Sequence, residues 1–134
     1  MSLYLCVFAA GREVAGIDAG AYADFNALRD YIVGELEGGV AGSRFPTLIL
    51  HSDCDGEWPA TACSALRAEL AAAAAEMQVR PACAFPSDWQ RHVALQPPRN
   101  ALESFIDVDG ERLVERLRAL AGTACALQQP ILLQ

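Results

Sequence analysis

At 134 residues, 53% apolar and 20% charged, the chain has the composition of one globular domain with material for one core, and not that of a disordered segment. Its formal net charge of −7, with ten basic residues that are all arginine, argues against nucleic acid and anionic membranes as partners, because their phosphates would be repelled. The same charge suits docking on a basic protein, and it equally suits solubility alone.

Five cysteines, Cys6, Cys54, Cys63, Cys83 and Cys125, form no C-x-x-C pair. An odd count without paired spacing argues against a disulfide framework and for a reducing cytoplasm.

In chain order, Leu3 to Phe8 sets Leu3, Leu5 and Val7 against Tyr4, Cys6 and Phe8. Both sides are apolar, which predicts a central strand covered on both faces. The stretch is apolar enough to suggest a signal peptide, but no positive segment precedes it and it is too short to span a bilayer. A turn at Ala10-Gly11-Arg12 leads to a weaker strand, Glu13 to Asp18, paired with the first as a hairpin and ended by Gly20. Tyr22 to Glu37 reads as a helix with Phe25, Leu28, Ile32 and Leu36 on one stripe, stopped by Gly38-Gly39.

Thr47 to His51 is an apolar run that predicts a buried strand, and it empties into an acidic turn holding Asp53, Cys54, Asp55, Glu57 and Trp58. Pro59 opens a second helix that extends to about Gln78 and buries Cys63, Leu66, Leu70, Ala74 and Met77. Ser87 and Gln90 have the spacing of a capping box for a short helix reaching about Leu95. One further turn follows at Asn100 to Glu103, then a strand from Ser104 to Val108 and a turn at Asp109-Gly110. Glu111 to about Leu127 is the best-patterned helix, with Leu113, Leu117, Leu120, Ala124 and Leu127 inward, and Pro130 to Leu133 is a last strand. The whole predicts an α+β fold: a mixed sheet of about five strands covered by three main helices and one short helix, as one domain over residues 1–134. A doubly covered α/β sandwich is the alternative.

The acidic turn is the candidate site. As a calcium loop it fails, because the position that needs a bidentate carboxylate is Ala62. A zinc site built on His51 and Cys54 lacks a second ligand pair at a recognisable spacing. Asp53 and Asp55 flank Cys54 and disfavour its thiolate as a nucleophile. As a recognition surface, carboxylates beside an exposed tryptophan supply an anchor with charge steering around it. The partner-binding residues so expected are Asp53, Asp55, Glu57, Trp58 and Trp89. The plain alternative makes Trp58 a core plug and the carboxylates caps of the next helix.

Met1 to Phe8, Ala21 to Phe25, Gly42 to Trp58 (GSRFPTLILHSDCDGEW), Ser87 to Gln90, Phe105 to Gly110 and Pro130 to Gln134 together resemble the immunity protein 70 (Imm70) family of bacterial polymorphic toxin systems. The Gly42–Trp58 block is the most specific of these. The resemblance implies an α+β fold and a cytoplasmic, non-enzymatic protein that binds and neutralises a cognate toxin, with no cofactor and no catalytic residues to carry over. Ala21 departs from the small hydroxyl residue expected before the first helix, and the start of the second helix is shortened around Pro59. A metal-binding module or metal-dependent hydrolase centred on His51, Asp53, Cys54 and Asp55 remains the competing reading.

Overall fold

The computed structural model describes residues 2–52 and 56–134. Strand β1 (Ser2–Ala9) and strand β2 (Arg12–Ala21) form an antiparallel hairpin. Ala10 and Gly11, at φ 53° and 75°, make its two-residue turn. Two successive positive φ values match the right-handed twist of the flanking strands. Helix α1 (Tyr22–Tyr31) follows at once and widens into a π-helical turn over Ile32–Leu36. The Gly39 N–H then donates to Val33 O at 2.8 Å, with Gly38 and Gly39 both at positive φ, so the glycine pair closes the helix as its sequence requires.

A short helix α2 (Pro46–Ile49), strand β3 (Glu57–Trp58) and a 3₁₀ turn over Ala60–Ala62 lead into helix α3 (Cys63–Gln78). Helix α4 (Asp88–Val93), a second 3₁₀ turn (Leu102–Ser104), helix α5 (Leu113–Leu127) and strand β4 (Ile131–Leu133) complete the order. The sheet runs β2-β1-β4-β3 with every pair antiparallel. The fold is α+β, with four strands where about five were expected and no parallel pair among the described residues.

Two predicted strands are absent. Thr47 to His51 is largely the helical turn α2, because Pro46 at the first helical position presets the backbone and a side chain from α3 caps the turn. Ser104 to Val108 contributes only an isolated bridge between Ile106 and Arg112. Phe105 and Ile106 are instead buried outside any strand.

The core lies on one side of the sheet. Leu3, Leu5 and Val7 of β1 pack in one cluster with Phe25 and Leu28 of α1, Leu66 and Leu70 of α3, and Leu117 and Leu120 of α5. Ile17, Ile131 and Trp58 join from the other strands. The expectation that β1 is covered on both faces is therefore half right. Tyr4 and Phe8 are only half-buried and do not join the core cluster. Leu127 also departs from its predicted inward place, at 43% exposed, because the stripe of α5 has rotated past the core by the last turn. No described helix is long and apolar enough to cross a membrane.

Candidate partner-binding surface

Buried or half-buried polar groups hold the stretch from Arg44 to Ser52 from three sides. Glu37, 6% exposed, accepts the N–H of Gly42 at 3.1 Å and those of Arg44 and Phe45 at 2.9 Å each. Burial alone would push its carboxyl up, but the three N–H donors and the nearby Arg44 guanidinium outweigh that and hold it below the usual range. From α3, Glu69 accepts the N–H of Thr47 at 3.2 Å and of Leu48 at 3.0 Å, capping the first turn of α2. Arg29 donates to the carbonyl oxygens of Leu48 and His51 at the other end of that turn. Arg44 forks onto Glu76 at 2.8 and 2.5 Å.

His51 and Trp58 close the stretch on itself. Their rings stack with centroids 4.3 Å apart. The Trp58 indole N–H donates to Thr47 O at 2.9 Å, and His51 Nε2 lies 2.7 Å from Glu57 O. A carbonyl can only accept, so Nε2 carries the proton. Nδ1 is buried without a hydrogen-bond partner. Trp58 is 1% exposed. The exposed anchor expected of Trp58 is not on the surface; the residue is a core plug whose polar tip fastens α2 to β3.

Asp53, Cys54 and Asp55 lie outside the described residues. Among the described residues, no three His, Cys, Asp or Glu side chains converge as a cation site. Cys6, Cys63, Cys83 and Cys125 are free thiols. Burial pushes the first three up, away from the reactive thiolate.

An Imm70 (immunity protein 70) family model matches residues 3–133. The chain belongs to the Imm70 family. No curated protein and no solved structure gives a match to it.

In this Imm70 chain the expected contact residues that are described, Glu57, Trp58 and Trp89, do not share one face. Glu57 is exposed and pairs with Leu132 across β3 and β4, whereas its neighbour Trp58 points to the opposite face with Ile131. Trp89 belongs to another neighbourhood. Its indole N–H donates to Asp24 Oδ2 at 3.1 Å, beside Gly20 of β2. β2 and β3 are opposite edges of the sheet, three strand spacings or roughly 14 Å apart. Asp24 also accepts the Ala21 N–H at 3.0 Å and the Ser87 hydroxyl, so it joins the start of α1 to that of α4. The predicted capping pair is present in one direction, with the Ser87 N–H donating to Gln90 Oε1 at 2.9 Å.

Sequence reading missed a second surface, the outer face of the sheet. Strand register places Tyr4, Cys6 and Phe8 on it, beside Leu132 of β4 and opposite Asp18, Gly16 and Glu13 of β2. Cys6 is buried between these neighbours, while Tyr4, Phe8 and Leu132 are part-exposed. The Tyr4 hydroxyl donates to Glu13 Oε2 at 2.8 Å. That hydrogen bond, then burial and the negative charges of Glu13 and Asp18, push the phenol up. The signal in the sequence was cross-strand: the residues facing Tyr4 and Phe8 are carboxylates, which a covered face would not hold unpaired.

Proposed function

We propose that this Imm70 chain is a non-enzymatic, cytoplasmic immunity protein that binds the cognate toxin domain of a polymorphic toxin system and blocks its active site or substrate channel. Family membership over residues 3–133 carries the reading. The −7 charge supports it, since a toxin that handles a polyanion has a cationic groove that carboxylates can occupy in the substrate's place. Asp53, Asp55 and Glu57 are the proposed contacts of the acidic turn. Trp58 acts behind the surface, by fastening α2 to β3, and the half-buried Trp89 holds α4 to the start of α1.

Co-expression with the toxin gene next to this one tests the reading. Growth is restored, and the two chains co-elute as a stoichiometric complex. Continued toxicity with no complex would overturn it.

A further inference from the structure

The outer sheet face combines two properties. It is apolar at its centre, where Tyr4, Phe8 and Leu132 are part-exposed and stand outside the core cluster. It is also acidic without compensation. Glu13, Asp18 and Glu57 stand on this face by register, and none has an arginine within ion-pairing distance. On the helical side, carboxylates such as Glu76, Glu103 and Glu115 are paired with Arg44, Arg99 and Arg118.

We propose that this face docks the toxin domain, and that the toxin presents to it a cationic surface with an apolar centre. The inference rests on the immunity reading above and names its surface and the partner's chemistry. Charge complementarity selects the occupant. A second copy laid face to face would set these carboxylates against their own kind, and nucleic acid or an anionic membrane would be repelled. Lysine and arginine around an aliphatic or aromatic patch satisfy both parts of the face. Tyr4 is prepared for the role: Gly16, opposite Cys6 and beneath the Tyr4 ring, has no side chain, and Glu13 fixes the phenol, so little freedom is lost on binding. Glu57 belongs both to this face and to the acidic turn.

The probe is the purified, catalytically inactivated toxin domain encoded by the neighbouring gene, with association and dissociation rates measured against the full chain. Glu13→Arg and Glu57→Arg each slow association about tenfold at low salt, and the difference closes at high salt. Glu111→Arg makes the same change in net charge at an exposed site outside the sheet, and alters the rate less than about twofold. Phe8→Ala speeds dissociation by about tenfold or more. Melting curves show which variants fold, and Glu57→Arg, fully on the surface, keeps the test open if Phe8→Ala does not. If wild type binds and all three face variants bind as wild type does, the proposed face is wrong and the immunity reading stands. If wild type neither binds nor protects, both fall. Dimerisation of the chain lost in Glu57→Arg would also overturn the proposal, since it assigns this face to a second copy.

Discussion

The ring of Tyr4 lies across Gly16, so that a Cβ at position 16 would fall 2.7 Å from the Tyr4 Cζ atom. Gly16 is not at a positive φ; it is needed for space alone. Gly16→Ala should lift the phenol off the sheet and break its hydrogen bond to Glu13. The cost is about 1 kcal/mol, because the displaced group is the tip of a part-exposed side chain. A double-mutant cycle checks this: Tyr4→Phe destabilises the wild type, yet has almost no further effect in the Gly16→Ala background. Additive effects would mean that the ring is held in another way.

Glu69, together with Pro46, makes α2 a helix. Glu69→Ala leaves the N–H groups of Thr47 and Leu48 without their acceptor, a loss of about 1–2 kcal/mol. Because Trp58 hangs from Thr47 O, the disturbance reaches β3. In a Trp89→Phe background, Trp58 emission should shift to the red and amide exchange should accelerate over residues 46–50. Glu69→Gln retains one acceptor oxygen and recovers part of the loss. Unchanged exchange in Glu69→Ala would show that Pro46 alone is enough to set the turn.

These two cases show what the sequence could and could not carry. Helices α3 and α5 were legible because Leu66, Leu70 and Met77, and Leu113, Leu117 and Leu120, repeat at helical spacing. Thr47 to His51 is too short for periodicity to separate strand from helix, and the deciding carboxylate stands 22 residues further on at Glu69. The outer face was misread because Tyr4, Cys6 and Phe8 are as apolar as Leu3, Leu5 and Val7. Only the register with Glu13 and Asp18 tells the two faces apart. Trp58 was half legible: a tryptophan after an acidic turn fits an anchor or a plug, and only the Thr47 carbonyl and the His51 ring decide between them.

Glu37 ties the loop before α2 to the end of the π-helical turn, and its titration should appear in the acid limb of stability. Its folded-state carboxyl is held low. Its contribution is therefore complete above the unfolded value of about 4.3 and is lost as pH falls through the lower folded value. Chemical denaturation between pH 6 and pH 3 should show wild-type stability falling below about pH 4.5, with a shallower fall in Glu37→Gln. Glu37→Ala removes the acceptor of three N–H groups and costs about 3 kcal/mol at neutral pH. An acid limb identical in Glu37→Gln and wild type would assign that limb to other carboxylates.

Asp107 has the opposite sign. Its side chain is fully buried; Oδ1 accepts the N–H groups of Asp109 and Glu111 at 3.0 Å each. Oδ2 makes no hydrogen bond and faces Arg116 Nε at 3.5 Å. Burial pushes this carboxyl up, against the pull of the Glu111 N–H and the Arg116 charge. A raised carboxyl holds its proton more tightly in the folded state. It therefore favours folding below its unfolded value near 3.9, and that contribution is lost as pH rises through the folded value. At neutral pH the ionised group is a net cost that Arg116 offsets only in part. Asp107→Asn keeps the acceptor for both N–H groups and removes the charge, so stability at pH 7 should be unchanged or higher by up to about 1 kcal/mol. Asp107→Ala orphans both N–H groups and should cost about 2–3 kcal/mol. Arg116→Met leaves a buried carboxylate with no cation at 3.5 Å and should cost more at pH 7 than at pH 4, where the carboxyl takes up its proton. Equal losses for Arg116→Met at the two pH values would show that the arginine acts through packing and not through its charge.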